Sequence, residues 1–182
     1  MPIEIEKKYR LNEAQKSVVQ RRLAEIGAEH SGEEFEVNTL FGSRVLDLGN
    51  SVLRLRRAGT TTVLTHKRRL PGESAIKYQQ ENETVVEDGD AMLAILSGLG
   101  FFPTLTYEKF RDTWRFDDVE VVIDRLPFGL FMEIEGSEAA IVATEQKLEI
   151  TELEAEHSTY PALASQHGKV TGEVIESRFQ DS

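Results

Sequence analysis

Hydrophobic and polar residues alternate along several stretches of this chain, as they do in β-strands whose two faces meet different surroundings. Residues 3–9 show the pattern first, with Ile3 and Ile5 on one face and Glu4 and Glu6 on the other. Similar alternation recurs at 53–56, 109–116, 120–124 and 131–135, and less cleanly at 63–69 and 77–83. These stretches predict strands that each have one apolar and one charged face.

Four other stretches space their apolar residues as helices do. Asn12 can cap the first helix, which Gly27 would end, and a second is expected at 90–99. The third would follow Ser137, and a short fourth would begin near Ser158 and end at Gly168. Because strands and helices follow no regular alternating order, the pattern predicts an α+β fold with a mostly antiparallel sheet.

Composition narrows the class of protein. The chain has 182 residues, of which 40% are hydrophobic and 29% are charged, which argues against a membrane span and a fully disordered chain. Without cysteine, any metal must be bound by oxygen or imidazole. The first residues lack signal-peptide features, so we expect a cytoplasmic protein. We expect one domain over residues 1–170 and a partly disordered C-terminal tail over 171–182.

Charge is unevenly distributed along the chain. The net charge of −11 would repel a nucleic-acid backbone, yet six basic residues and no acidic one lie between Arg54 and Arg69. Several strands also carry charges of the same sign two residues apart on one face. The acidic pairs are Glu4/Glu6, Glu81/Glu83 and Glu133/Glu135, and the basic pairs are Arg54/Arg56 and Lys109/Arg111.

For a single strand, the simplest explanation of a charged face is exposure to water. Repelling pairs on several strands together instead indicate a ligand that relieves the repulsion. A sheet curved into a barrel would bring these faces around one lumen. Clustered carboxylates suit hard cations such as Mg²⁺ or Mn²⁺, and clustered Arg and Lys suit phosphate oxygens. The ligand that fits both groups is a metal-bound polyphosphate.

The opening Glu4-Ile5-Glu6-Lys7-Lys8 resembles the CYTH superfamily, the triphosphate tunnel metalloenzymes, which include class IV adenylyl cyclases, thiamine triphosphatases and inorganic triphosphatases. Over residues 1–165 the matching segments are Leu53-Arg54-Leu55-Arg56, Thr65-His66-Lys67, Glu81-Asn82-Glu83, Leu99-Gly100-Phe101, Glu108-Lys109-Phe110-Arg111 and residues 124–136. The resemblance implies an eight-stranded antiparallel β-barrel, open to substrate as a triphosphate tunnel and flanked by helices.

The same resemblance implies roles for individual residues. The metal ligands would be Glu4, Glu6, Glu81, Glu133 and Glu135. The phosphate-binding residues would be Lys8, Arg54, Arg56, Lys67, Lys109 and Arg111. Asp124 would orient a basic neighbour or assist the metal, so that Glu4, Glu6, Lys8 and Asp124 form the catalytic set. Gln79 departs from the family, whose members often have arginine there, and Lys77 could compensate.

Three functions are compatible with these residues. Metal-dependent hydrolysis of an inorganic, thiamine or nucleoside triphosphate is the first choice, because it asks only for a triphosphate and water. Cyclisation of ATP to cyclic AMP and pyrophosphate also needs a nucleoside pocket, which the sequence does not locate. A non-catalytic polyphosphate or RNA-binding module is the third, although the acidic pairs count against it. We therefore expect a small-molecule triphosphate partner, no nucleic acid and no membrane, and the resemblance is compatible with a homodimer.

Overall fold

A computed structural model describes residues 3–46, 49–70 and 76–180 of the chain. The first eight strands are β1 (Ile3–Leu11), β2 (Glu29–Gly42), β3 (Ser51–Ala58), β4 (Thr61–Arg69), β5 (Ile76–Val86), β6 (Phe102–Phe116), β7 (Val119–Leu126) and β8 (Gly129–Glu135). Two short strands, β9 (Lys169–Thr171) and β10 (Val174–Ser177), follow near the C-terminus. The helices are α1 (Glu13–Glu25), α2 (Gly89–Gly98), α3 (Glu138–Lys147) and α4 (Tyr160–His167).

Strands β1 to β8 form a closed antiparallel barrel. Their order is β2-β3-β4-β5-β1-β8-β7-β6, and pairing of β6 with β2 joins the two ends of that series. Every neighbouring pair in the ring runs antiparallel. The expectation of an eight-stranded antiparallel barrel with flanking helices is therefore confirmed.

The helices form where the sequence analysis expects them. Asn12 caps α1 through a reciprocal pair of hydrogen bonds with Gln15, a capping box that satisfies backbone N–H groups left free at a helix start. Ser137 caps α3 and Thr159 caps α4 in the same position. None of the helices in the described ranges is long and apolar enough to cross a membrane.

Helices α1 and α3 cover the outer face of β1, β7 and β8. Leu23 and Ile141, both fully buried, pack there against Val121, Met132 and Ile134 of the barrel. Helix α2 covers a second region, where Leu96 contacts Phe41 and Leu55. Burial of these apolar faces on the outside leaves the alternate residues of each strand facing inward.

Helix α4 packs against apolar residues at one end of the barrel. Four apolar residues sit on the inward faces of their strands at this end, and they pack with three residues of α4. We call these seven residues the tunnel floor: Leu40, Leu105, Leu126, Phe131, Tyr160, Leu163 and Ala164. All of them are at least nine-tenths buried.

Strand β10 lies in the stretch after Thr171, where the sequence analysis expects a partly disordered tail. Strand β10 pairs in parallel with β6 at Leu105–Tyr107 and antiparallel with β9. Strand β7 meets β6 only from Phe110 onward, so the edge of β6 before that point is open and β10 occupies it. A three- to four-residue strand has too little periodicity to be recognised from sequence alone. Residues 181–182 of the expected tail lie outside the described residues.

Candidate functional site

The charged faces of the strands meet inside the barrel, around a cavity of about 280 Å³. Every residue expected to bind metal lines this cavity: Glu4, Glu6, Glu81, Glu133 and Glu135. So does every residue expected to bind phosphate: Lys8, Arg54, Arg56, Lys67, Lys109 and Arg111. Residues from six strands thus converge on one enclosed site and do not spread over the outer surface.

Asp124 lies behind the cavity wall and holds two of the cations. Its carboxylate accepts hydrogen bonds from Arg111 Nε at 2.8 Å and Arg111 Nη2 at 2.6 Å, and from Lys109 Nζ at 3.2 Å. Burial raises the pKa of Asp124, but the charges of Arg111 and Lys109 outweigh it and bring the pKa below its ordinary value. Asp124 thus contacts two basic neighbours, an arrangement compatible with one of the two roles expected of it.

Glu133 is also surrounded by cations. Lys8 Nζ lies 3.2 Å from Glu133 Oε1, and Arg111 Nη2 donates a hydrogen bond to Glu133 Oε2 at 2.9 Å. Burial raises the pKa of Glu133, yet Lys8 and Arg111 lower it by more. Lys8 is itself almost fully buried and donates a hydrogen bond to the Ser158 carbonyl oxygen at 3.2 Å.

Glu36 of β2 belongs to this group, although the sequence analysis missed it. Its carboxylate lies 3.4 Å from Lys109 Nζ and 3.9 Å from Arg56 Nη1, and the residue is 3% exposed. Burial raises the pKa of Glu36, but Lys109, Arg111 and Arg56 together lower it to about 2. The available signal was the alternation of Glu34, Glu36 and Asn38 with apolar neighbours, hidden by the dense acidic residues around it.

A second group of carboxylates lacks sufficient cations. Lys67 Nζ lies 2.5 Å from Glu4 and 3.2 Å from Glu81, so one ammonium serves two carboxylates. Burial raises the pKa of Glu4, and repulsion from Glu81 adds to it despite the attraction of Lys67. Burial, together with the nearby charges of Glu4 and Glu120, raises the pKa of Glu135 to about 7. Burial and then Glu133 raise the pKa of Glu6.

The cavity therefore has two electrostatic parts. The cation-rich part contains Glu36, Asp124 and Glu133, whose pKa values are lowered. The acid-rich part contains Glu4, Glu6 and Glu135, whose pKa values are raised, and Glu81. An anion such as phosphate suits the first part, and a cation suits the second.

The acid-rich part has the donor chemistry of a site for a hard divalent cation, since carboxylate oxygens are the preferred ligands of Mg²⁺ and Mn²⁺. Within residues 3–46, 49–70 and 76–180, no three acidic or histidine side chains stand together as a preassembled metal site. Instead, Lys67 forms ion pairs with both Glu4 and Glu81. The residues thus fit the ion chemically, and its ligands would have to separate from Lys67 to hold it.

Gln79 stands where family members often have arginine, and the structure shows where it and the possible substitute Lys77 lie. Gln79 lines the cavity, as its strand position requires. Lys77 lies one inward position along β5, where its Nζ is 3.7 Å from Glu6 Oε1 and donates to the Ser158 carbonyl at 3.4 Å. Burial and the charge of Lys8 lower the pKa of Lys77 to about 8.

Arg69, which shares a face with Lys67, is exposed and outside the cavity lining.

Comparison with known proteins gives concordant results. The model of the CYTH domain family matches residues 2–162. A Methanocaldococcus jannaschii protein named "Putative adenylate cyclase" is 29% identical over 151 residues, covering 81% of this chain and 84% of the relative.

Two solved structures share the fold. The PH1012 protein of Pyrococcus horikoshii superposes with a TM-score of 0.75 at 23% identity, covering 88% of this chain and 98% of its own. A Hippeastrum protein, described as "Putative adenylyl cyclase" with "a dominant" triphosphatase activity, superposes with a TM-score of 0.68 at 18% identity, covering 95% and 99%. Because the identities are this low, the two superpositions show agreement in fold alone.

Proposed function

The chain belongs to the CYTH domain family, and from that premise we propose that it is a divalent-metal-dependent enzyme that hydrolyses a triphosphate inside its β-barrel. One observation carries this proposal above the others. Six cationic side chains and a separate acid-rich cluster line the same enclosed cavity, so a polyphosphate and a divalent cation can be bound side by side.

The cationic residues supply positioning and charge neutralisation, which account for most of the acceleration in phosphoryl transfer. Arg54, Arg56 and Arg111 can donate paired N–H groups to phosphate oxygens, while Asp124 fixes the guanidinium of Arg111. The residues that would hold the ion are those of the acid-rich part, Glu4, Glu6, Glu81 and Glu135, whereas Glu133 is paired with Lys8 and Arg111. When bound, a divalent ion supplies further neutralisation of phosphoryl oxygens.

Cyclisation of ATP is the second candidate. The name of the M. jannaschii relative supports it, whereas the description of the Hippeastrum protein supports hydrolysis. The two reactions differ in the nucleophile, which is water in hydrolysis and the ribose 3′-hydroxyl in cyclisation. Hydrolysis is favoured because the cavity is mostly charged and offers no separate apolar pocket among the described lining residues for a nucleobase.

The products made from three substrates test both candidates. The purified protein is incubated with tripolyphosphate, thiamine triphosphate or ATP, each with Mg²⁺, with Mn²⁺ or with a chelator. We expect metal-dependent release of orthophosphate and a diphosphate from at least one substrate. Cyclic AMP and pyrophosphate from ATP would establish the cyclase instead, and tight tripolyphosphate binding in chelator without any turnover would indicate a non-catalytic binding module.

A double substitution of Glu4→Gln and Glu6→Gln provides the matched inactive protein. It keeps both side-chain shapes but removes two carboxylates from the acid-rich part, so we expect turnover to be abolished. The fold should persist, because the change also relieves repulsion that raises both pKa values. Wild-type turnover by this variant, with an unchanged circular dichroism spectrum, would contradict the metal assignment.

A further inference from the structure

The segment between α3 and α4 is attached to β1 through its backbone. Ala155 forms an antiparallel β-bridge with Tyr9, and the backbone N–H of Glu156 donates a hydrogen bond to the Lys8 carbonyl oxygen at 2.8 Å. We call residues 155–158 the β1 strap. Because Lys8 is one of the strand residues that it contacts, the strap lies directly beside the cation-rich part of the cavity.

The strap presents one backbone carbonyl to two buried ammonium groups. The carbonyl oxygen of Ser158 accepts a hydrogen bond from Lys8 Nζ at 3.2 Å and another from Lys77 Nζ at 3.4 Å. Both lysines are at least nine-tenths buried. Two positive charges this close repel each other, and a shared acceptor offsets part of that repulsion.

The ammonium group of Lys8 is held by three contacts in all. Besides the Ser158 carbonyl, Glu133 Oε1 lies 3.2 Å away and the ring centre of Tyr160 lies 3.7 Å away. A lysine has a flexible stem of four carbons, so such contacts decide where its charge sits. The strap therefore supplies one of the contacts that fix a cation of the cavity wall.

Glu156 anchors the residue that carries this carbonyl. Its Oε1 atom accepts a hydrogen bond from the Ser158 backbone N–H at 2.8 Å, and its Oε2 atom accepts one from Arg10 Nη2 at 3.0 Å. Burial raises the pKa of Glu156, but the hydrogen bonds from Ser158 and Arg10 outweigh it and bring the pKa below its ordinary value. Glu156 itself lies outside the described cavity lining.

We propose, resting on the proposed triphosphate function, that Glu156 is a positioning residue for Lys8. Through Ser158 it sets the place at which the Lys8 ammonium meets the polyphosphate, without touching phosphate or metal itself. Loss of its carboxylate frees Ser158, and the Ser158 carbonyl then no longer holds the ammonium group against the attraction of Glu133. A charge on the outside of the barrel thereby controls a cation on the inside.

Three variants separate the hydrogen bond of Glu156 from its charge. For each, kcat/KM is measured with Mg²⁺ and whichever of tripolyphosphate, thiamine triphosphate and ATP the wild type hydrolyses fastest. Glu156→Ala should lower kcat/KM by about tenfold. Glu156→Gln keeps an oxygen that can accept from the Ser158 N–H and should stay within about threefold of wild type. Glu154→Ala, at an exposed position, removes the same charge and should change little.

A double-mutant cycle tests whether the effect passes through Lys8. Lys8→Met keeps an unbranched side chain and removes the ammonium group. Binding of a non-hydrolysable tripolyphosphate analogue with Mg²⁺ is measured calorimetrically for the wild type, Lys8→Met, Glu156→Ala and the double variant. We expect Glu156→Ala to weaken binding by about tenfold when Lys8 is present and by less than about twofold in the Lys8→Met protein.

The β-bridge of Ala155 and the backbone hydrogen bond to Lys8 remain in Glu156→Ala, so the strap should keep its course. Circular dichroism checks the fold of each variant. If Glu156→Ala does not fold, Glu156→Met replaces it in both experiments, because methionine preserves the length of the side chain and cannot accept the Ser158 hydrogen bond.

The outcomes distinguish this inference from the proposed function. If the wild type hydrolyses none of the three triphosphates and does not bind the analogue, the proposed function fails and the inference fails with it. If the wild type is active, the inference alone is overturned by any of three results. These are wild-type kinetics in Glu156→Ala, equal losses in Glu156→Ala and either Glu156→Gln or Glu154→Ala, and equal weakening by Glu156→Ala with and without Lys8.

Discussion

At the scale of single residues, the tunnel shows that a carboxylate's role depends on its neighbours. Glu133 and Glu135 are two residues apart on one strand face, yet cations lower the pKa of Glu133 while burial and other acids raise that of Glu135 to about 7. The first is an internal counter-ion for Lys8 and Arg111. The second is poorly compensated and is the better candidate for a metal ligand.

Glu36 gives the clearest prediction for stability. Glu36→Gln would leave Lys109, Arg111 and Arg56 short of a counter-charge, which should cost about 3–5 kcal/mol of unfolding free energy near neutral pH. The pKa of this carboxyl is about 2 when folded, against an ordinary value of 4.5. Its stabilisation is therefore complete above about pH 4.5 and is lost as the pH falls toward 2.

Urea unfolding of both proteins near pH 7 and near pH 3 measures this effect. The difference between wild type and Glu36→Gln should shrink at the lower pH. Glu34→Gln, an exposed position on the same face of β2, is the matched control and should change stability little at either pH. Equal differences at both pH values would show that Glu36 does not act through its charge.

Arg54 gives the clearest prediction for binding. Arg54→Ala removes a cation that lines the cavity, so the KM for the triphosphate should rise by about tenfold or more and kcat should fall. Arg69→Ala removes the same charge from an exposed position outside the cavity and should leave both constants near wild type. Steady-state kinetics of the two variants measure KM and kcat. Equal changes in both variants would mean that Arg54 acts only through the overall charge of the protein.

Much of the charged site could be predicted from sequence, because alternation assigns each residue to a face without knowing its partners. Lys8, Arg54 and Lys109 were placed in this way, together with the family resemblance. Arg69 has the same alternation and is nevertheless exposed. The position of Tyr160 in the cavity wall depends on how α4 packs, which no strand pattern encodes.

At the scale of elements, helices were predicted more completely than strands. Each of α1 to α4 begins at a capping residue of a type that can be recognised in the sequence. Strand β2 has no such marker, and its many glutamates are unfavourable for strands in general. Its partner β6 is distant in sequence, and the contacts with β3 and β6 override the local preference.

The C-terminal hairpin of β9 and β10 lies beyond the matched family region, and in addition to pairing between β10 and β6 it is joined to Glu108. Glu108 of β6 accepts hydrogen bonds from Arg178 Nη1 at 2.8 Å and from the Phe179 backbone N–H at 3.0 Å. Phe179 packs against Phe110, with the ring centres 5.2 Å apart. The hairpin should therefore depend on Glu108 for its attachment.

Glu108→Ala should loosen this segment without unfolding the barrel, because it removes both hydrogen bonds at once. Hydrogen–deuterium exchange should accelerate in residues 174–179 while the amides of β7 and β8 keep their protection. Glu173→Ala, an exposed position in the β9–β10 turn, is the control for loss of one negative charge. Unchanged exchange in Glu108→Ala would mean that β-pairing alone holds the hairpin.

At the scale of the whole molecule, function depends on closure of the barrel. Alternation predicts that each strand has a charged face, but it does not predict whether those faces open to water or meet. Pairing between β2 and β6 decides this, and α4 packs against the tunnel floor at one end. The like-charge pairs suggest a barrel and the family resemblance implies one, but the closing contacts join parts of the chain far apart in sequence.

The central claim is that cation and polyphosphate occupy the two electrostatic parts of this one cavity. It is tested most directly by a crystal structure of the wild-type protein with Mn²⁺ and a non-hydrolysable tripolyphosphate analogue. Anomalous scattering from manganese then locates the ion. The account predicts a manganese peak at the carboxylates of Glu4, Glu81 and Glu135, and phosphates against Arg54, Lys109 and Arg111. Manganese and phosphates bound on the outer surface, with Lys67 still paired to Glu4 and Glu81 in the lumen, would contradict it.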